Sequence, residues 1–449
     1  MTGVALCAVS LVFADVKLKT INEDISLGIT GDASLQAGQA VNYFYKDDQE
    51  YHHQWIQQSL LHFGVDALYS KKLQIKMNIE GRLWFSLPDQ SGKTTGQAYA
   101  LYDKTFTYSI YEACGTYLFS NLLGSSFSLS ITAGLFRYKY NPEVRNLGEY
   151  LFRSLAYPAV LINYFDQTDA RLAGIKISSD LPLAENFLKL HGDLMLTFET
   201  EMYPFFDATP SFVGNCMIGN FLDVGLGVSL YHIFPVNSSL TTPTTDPKSM
   251  YVKNGYANYY TFAGTKLMAR FTFDPKRFIP LDLFGPEDLK IYVEAAILGL
   301  ENYPANDTLN SPAAGDNNIW GYDKLRNKVP RVLGFNVPSF KLLDVFSLEV
   351  EYYGCPYPMN LANAVRLGGA YAYPIPAEYN KPPSWYTSDN WKWSIYAKKM
   401  LANNHLSIIL QLARDHMRFQ HILDEPKVYE EALVRPNDWW WTTKVSWGF

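Results

Sequence analysis

The chain has 449 residues, room for several globular domains or for one large β-barrel. Charged residues make up only 18 % and aromatics 15 %, with 32 Tyr, at a mean hydropathy of −0.12. The 38 Lys+Arg against 44 Asp+Glu leave a net charge of −6, which gives no basic footprint for nucleic acid and argues against a nucleic-acid partner.

The first residues, MTGVALCAVSLVFADV, are an apolar run ending in Val12-Phe13-Ala14, spaced for signal-peptidase cleavage before Asp15. Residues 1–14 thus read as an export signal and 15–449 as the mature chain. The run has no Lys or Arg at its start, which leaves a truncated start site or a first strand as alternatives. It is too short for a transmembrane helix, and nothing downstream supplies the ~20 apolar residues a spanning helix needs. Cys7 lies within the run, and Cys114, Cys216 and Cys355 are too scattered for a disulfide framework or a zinc site. No cofactor or metal site is read from the chain.

Further along, apolar residues fall on every second position, the period of a β-strand. In LQIKMNIEGRLWF, Leu73, Ile75, Met77, Ile79 and Leu83 share one face, and Gln74, Lys76, Asn78, Glu80 and Arg82 the other. LKLHGDLMLTFE and the run Leu222 to Leu230 repeat the pattern. Weaker versions occur at Ile25 to Ser34, Leu61 to Tyr69, Phe127 to Leu135, Thr265 to Phe273, Leu289 to Ile297, Phe346 to Tyr352 and Leu406 to Leu412. The segments are roughly ten residues long, as tilted strands crossing a bilayer require.

Tight connections are expected at Ser70-Lys71, Asn121 to Ser125, Ser179 to Glu185, Gly219-Asn220, Pro338 to Leu343 and Ala402 to Asn404, with a longer one at Asp274 to Glu287. They alternate with Pro-, Asn-, Gly- and Tyr-rich stretches such as 233–257, 301–329 and 354–390. Short turns on one side and long loops on the other mark a transmembrane antiparallel up-and-down β-barrel. The connections add up to about sixteen strands, within a range of about 14 to 18, even in number as for such barrels. Parity places strands four, eight and twelve at 106–119, 210–218 and 331–337.

With the apolar face toward lipid, the polar face lines the lumen. Lys76, Glu80, Arg82, Lys189, Asp193, Lys266, Arg270, Glu294, Glu349, Glu351 and Lys444 then point inward, mixing both signs. In the third long loop, from Asn141 to about Asp166, Leu147, Leu151 and Leu155 recur four apart. Arg145 with Glu149, and Glu149 with Arg153, are opposite charges at the same spacing, which predicts a short amphipathic helix.

The chain ends WWWTTKVSWGF, with Trp441, Val445, Trp447 and Phe449 at alternate positions. This ending resembles the C-terminal signature of Gram-negative outer-membrane β-barrels, which their assembly machinery recognises. About sixteen strands at this length is similar to general porins. The resemblance implies a multi-pass barrel in the outer membrane, with lipid and the assembly machinery as partners and a homo-oligomer left open. It also implies passive diffusion of small hydrophilic solutes. By the same resemblance the third loop folds inward, so that Glu143, Arg145, Glu149 and Arg153 border a constriction.

A hydrophobic-solute transporter is a further reading, given the aromatic richness, and two rivals come from other classes. Tyr256, Tyr259, Tyr260, Tyr371, Tyr373, Trp385, Tyr386, Trp391 and Trp393 could stack on sugars in a non-conducting surface or glycan-binding barrel, although interface girdles demand such residues anyway. An outer-membrane hydrolase would need a catalytic pair, and His416 and His421 do lie near Asp415 and Glu425. Without a Gly-x-Ser-x-Gly elbow or a His-Glu-x-x-His helix, the chain does not read as an enzyme.

Overall fold

The computed structural model describes residues 17–22, 25–45, 49–86, 106–120, 127–152, 160–161, 169–183, 187–200, 206–231, 233–234, 236, 250–253, 256–259, 264–279, 282–297, 329–352, 391–418, 433 and 435–448. Sixteen period-two segments form one antiparallel sheet that closes on itself. They are β1 (Ile25–Tyr45), β2 (Gln49–Tyr69), β3 (Leu73–Ser86), β4 (Phe106–Ser120), β5 (Ser128–Tyr138), β6 (Ala170–Leu183), β7 (Leu188–Phe198) and β8 (Ala208–Ile218). The wall continues with β9 (Leu222–Tyr231), β10 (Gly264–Phe273), β11 (Ile291–Ile297), β12 (Arg331–Asn336), β13 (Val345–Tyr352), β14 (Trp391–Leu401), β15 (Leu406–Arg414) and β16 (Trp439–Gly448).

Each strand pairs with its neighbour in the chain, and β16 returns to pair with β1 from Gly448 opposite Asp32 to Trp439 opposite Asn42. A short strand, Lys17–Asn22, pairs with the start of β1, Lys17 lying opposite Gly28. It takes up the edge of β1 just beyond the point where β16 stops. Both chain ends therefore contribute to the seam, and the barrel leaves no open edge there.

The strands placed by parity are β4, β8 and β12, with ends shifted by at most two residues. The turn expected at Ser179 to Glu185 is displaced, because β6 runs on to Leu183 and pairs it with Leu188. The turn expected at Asn121 to Ser125 lies outside the described residues. So do the stretches 301–328 and 354–390, whereas 233–257 includes part of a small hairpin, Met250–Lys253 with Tyr256–Tyr259. The first outer connection is no long loop: β1 and β2 are each 21 residues, and Tyr45 already faces Gln49.

The radial pattern is that of a globular protein turned inside out. Leu61, Phe63, Leu194, Phe212, Leu226, Phe271, Leu333 and Val350 are exposed on the outside. Gln36, Gln58, Arg82, Lys266, Glu294, Glu349 and Lys392 are buried within. An apolar exterior of this extent would be an aggregation surface in water and is matched by hydrocarbon, while closure bonds every strand's backbone inside the protein as lipid demands. Aromatic pairs mark both rims: Trp55 meets Trp441 at 6.4 Å and Tyr352 meets Trp391 at 5.0 Å at one end, and Phe221 meets Phe278 at 5.2 Å at the other. Trp441, Val445 and Trp447 lie on the outer face of β16, the latter two exposed; Phe449 lies outside the described residues.

Leu226, in the middle of β9 and 61 % exposed, tests this orientation. Leu226→Arg is expected to destabilise the barrel by about 2–4 kcal/mol, the cost of arginine on a lipid face near the midplane. The measurement is reversible urea unfolding in vesicles. A change as small as that of Ser229→Arg, one strand face away, would reverse the assignment of inside and outside.

Candidate pore and third loop

Strand β5 stands halfway round the sixteen-strand wall from β13. The third outer connection leaves β5 at Tyr138 and crosses the lumen to the far side. Of its described residues, 139–152 form turns and bends, not the helix expected from the four-residue spacing, and Val160–Leu161 pairs in parallel with Met417–Arg418. The backbone takes positive φ at Gly148 (89°) and Glu149 (60°), which no α-helix tolerates. The helical pair of Arg145 with Glu149 does not form: Arg145 bonds Glu287 in the turn before β11 at 2.9 Å, and Glu149 accepts the N–H of Asn141 within the loop at 2.6 Å.

Four wall carboxylates hold the loop. Glu349 on β13 accepts the consecutive backbone N–H groups of Arg145 (2.5 Å), Asn146 (2.9 Å) and Leu147 (2.8 Å), an anion nest formed by the loop around a side chain of the wall. The Tyr292 hydroxyl donates to the same carboxylate at 2.9 Å. Glu294 on β11 accepts the Tyr140 hydroxyl (2.6 Å) and the Tyr150 N–H (3.0 Å) on one oxygen and the Asn141 amide (2.8 Å) on the other. Glu351 accepts the Tyr150 hydroxyl at 2.9 Å and meets His416 Nε2 at 2.5 Å. Asp415, just past β15, accepts from the Asn146 amide (2.8 Å), the Met417 N–H (3.0 Å) and the Trp440 indole (3.0 Å).

All four acids are buried, so these charge-assisted bonds replace the water they have lost. At its tip the loop is clamped to the turn before β11: Lys290 bridges Glu143 at 3.0 Å and Glu287 at 2.9 Å. Burial alone would raise the Glu287 carboxyl, but its bonds to Lys290 and Arg145 outweigh this and hold it below the usual carboxylate range. In the same turn Asp288 is also held low. Burial is opposed there by the N–H groups of Gly285 (2.8 Å) and Phe340 (3.1 Å) and by the Ser339 hydroxyl (3.1 Å).

Elsewhere the lumen carries rows of charge that run across strands. Asp32, His62 and Glu80 on β1, β2 and β3 are joined through both imidazole nitrogens at 3.0 and 2.9 Å, and Arg82 continues the row to Glu80 at 2.5 Å. His191 is held in the same way between Asp180 (2.7 Å) and Asp193 (2.9 Å). Two spaces open onto these rows. One, of about 570 Å³, lies between the loop stem and β6 to β10; the other, of about 430 Å³, lies beside Asp32 and His62 and reaches the turn at Asn403.

Of the residues assigned to the lining, Glu80, Arg82, Asp193, Lys266, Arg270, Glu294, Glu349 and Glu351 are buried, Lys76 and Lys444 are partly exposed, and Lys189 is exposed. Among the constriction candidates, Glu143 and Arg145 meet at the tip of the loop, 4.0 Å apart. Glu149 is turned into the loop's own fold at 1 % exposure, and Arg153 lies outside the described residues. Sequence reading missed Tyr140, Asn141, Asn146, Tyr150 and Trp440, whose partners lie more than a hundred residues away or within a β-strand rung no local pattern shows. Asp415 and His416, weighed as catalytic, are here loop and wall anchors; His421 and Glu425 lie outside the described residues. Trp391 packs on Tyr352 at the rim, while the other long-loop aromatics, Trp393 on β14 and the hairpin of 256–259 apart, fall outside the described residues. Among the described residues no group of three His, Cys, Asp or Glu side chains could hold a metal.

No protein-family model and no curated protein sequence matches the chain. Solved structures do: an OmpF from Salmonella typhi in complex with daunomycin, at 10 % identity and TM-score 0.44, covers 94 % of this chain and 98 % of its own. A Rhodopseudomonas blastica porin triple mutant, at 8 % identity and TM-score 0.39, covers 95 % of this chain and 100 % of its own. The closed sixteen-strand antiparallel wall, apolar outside and charged within, stands on this chain's own strand pairing and burial.

Proposed function

We propose that the chain is an outer-membrane channel through which small hydrophilic solutes diffuse passively, narrowed by the third loop at 141–166. The observation that carries this reading is the docking of the loop. Its described bonds gather on β11, on β13, on the turn before β11 and on Asp415 just past β15, and charged rows line the lumen elsewhere. A barrel of sixteen strands is wide enough for water unless it is filled. A loop strapped to part of the wall narrows such a lumen without filling it. The polar, mixed-sign lining suits hydrated solutes sorted by size and charge. The reading involves no catalysis.

Planar-bilayer recording of the purified barrel tests it. Stepwise ohmic conductance is expected, and shortening the loop by residues 143–150 should raise it. Glu143→Gln leaves Lys290 and Arg145 with one acid fewer between them, so the reversal potential should shift toward anions. The shift should shrink at high salt, since the Debye length is about 3 Å at 1 M. Folded, heat-modifiable barrels that pass no current would overturn the channel reading and leave a surface-binding barrel in its place.

A further inference from the structure

The outer face carries an arginine within a row of aromatics, at the end where the long loops leave the wall. Arg331 on β12 lies opposite Tyr352 on β13, and Tyr352 opposite Trp391 on β14, all three on the lipid-facing side. The Arg331 guanidinium stands 5.0 Å from the centre of the Tyr352 ring, which meets the Trp391 ring edge to face at 5.0 Å. Glu351 and Lys392, the chain neighbours of Tyr352 and Trp391, are buried on the lumenal side, so the wall separates their charges from this row.

An arginine on a lipid face is costly at the midplane and tolerated at the interface, where its head reaches the polar layer. Arg331 is exposed, and among the described residues it meets no acid and no hydrogen-bond acceptor. The Tyr352 hydroxyl and the Trp391 indole N–H are likewise without an acceptor among them. At the opposite rim Arg277 also lies over rings, Phe187 at 5.7 Å and Phe221 at 5.3 Å, but its guanidinium donates to the Gly219 carbonyl and closes the turn between β8 and β9. Arg331 has the stacking without the bond. One rung below it, Leu333 and Val350 lie opposite each other, 54 % and 45 % exposed. A guanidinium stacked on a ring keeps its edge N–H groups free, and that planar fork grips a phosphate through two bonds. The anions found at this depth of a bilayer are lipid headgroups, with acyl chains beneath them.

We propose that Arg331, Tyr352 and Trp391 form a docking site for the headgroup phosphate of one outer-leaflet lipid, whose acyl chains lie on Leu333 and Val350. The inference goes beyond the channel reading and does not depend on it, because the site faces lipid and not the lumen.

The probe is dioleoyl phosphatidate, added to the delipidated barrel in non-ionic detergent, with dioleoylglycerol as the same body without its phosphate and native mass spectrometry to count bound lipid. One phosphatidate is expected to be retained ahead of any other, and dioleoylglycerol is not. Arg331→Gln should weaken this first lipid about fivefold, the factor that one basic residue at a charged membrane surface represents. Arg331→Lys should fall between, because an ammonium keeps the charge and loses the fork. Lys71→Gln, on the turn between β2 and β3, should change nothing. Heat-modifiability checks that each variant folds, and Arg331→Lys carries the comparison if Arg331→Gln does not. Equal retention of dioleoylglycerol, or indifference to both arginine substitutions, overturns the site. Displacement of the bound phosphatidate by an equal concentration of inorganic phosphate overturns the lipid assignment and leaves a free-anion site in its place.

Discussion

Glu349→Ala is expected to undock the third loop while leaving the barrel closed. The substitution strips the acceptor from three successive loop N–H groups and from the Tyr292 hydroxyl. A buried donor left without a partner costs about 1–3 kcal/mol, and water entering the lumen repairs part of the loss, so docking should weaken by on the order of 4 kcal/mol. Trypsin then reaches Arg145, which the wild type holds against Glu287 and largely shields. Limited proteolysis of the folded protein should release a cut at this site in the variant and not in the wild type. Glu349→Gln keeps one acceptor oxygen and should fall between the two. Equal resistance of Arg145 in all three would show that the loop does not depend on this carboxylate.

The clamp at the loop tip responds to acid in a defined direction. Glu287 is held below the usual carboxylate range, so its contribution is complete above the unfolded value of about 4.3 and is lost only as pH falls through the lower folded one. Docking measured by the same proteolysis should therefore be unchanged from neutral pH down to about pH 5.

The wall was legible in the sequence because its physics is local. Lipid on one side and water on the other impose a period of two on every strand, and Leu222 to Leu230 or Leu73 to Leu83 report it without reference to the rest of the chain. Parity then placed β4, β8 and β12, whose own patterns are weak. The loop was not legible for the opposite reason. Arg145, Glu149 and the leucines at 147 and 151 carry a helical spacing, and in isolation a few tenths of a kcal/mol per pair would favour it. Glu349 and Glu294, roughly two hundred and a hundred and fifty residues away, offer the same backbone N–H groups a stronger acceptor. Leu147 and Leu151 are buried as the pattern suggests, but by the lumen and not by a helix face. Glu294, Glu349 and Glu351 could be read as inward-facing charges from their strands; that they serve as acceptors for a loop follows only from the barrel bringing β5 opposite β13.

Gly38→Val is expected to prevent closure of the barrel. Gly38 lies on β1 opposite Thr442 of β16, in the seam that joins the first strand to the last. A Cβ placed there would sit 2.0 Å from the carbonyl oxygen of Trp441 and 2.7 Å from the Thr442 Cα, both backbone atoms of the partner strand. Overpacking between side chains costs about 1–3 kcal/mol because rotamers can yield. Here the obstacle is the ladder itself, so relief requires β16 to move away from β1. Two unpaired edges in hydrocarbon would follow, each with a row of unsatisfied N–H and C=O groups costing several kcal/mol apiece. Gly28→Val is the matched control: it lies on the same strand, and its nearest neighbour is the Asp66 carbonyl oxygen at 3.8 Å, an ordinary contact. Refolding into lipid vesicles followed by unheated gel migration should show the compact band for Gly28→Val and little or none for Gly38→Val. If both variants fold as the wild type does, β16 does not meet β1 in this register, and the pairing that gives the terminal aromatics their place on the outer face is wrong with it.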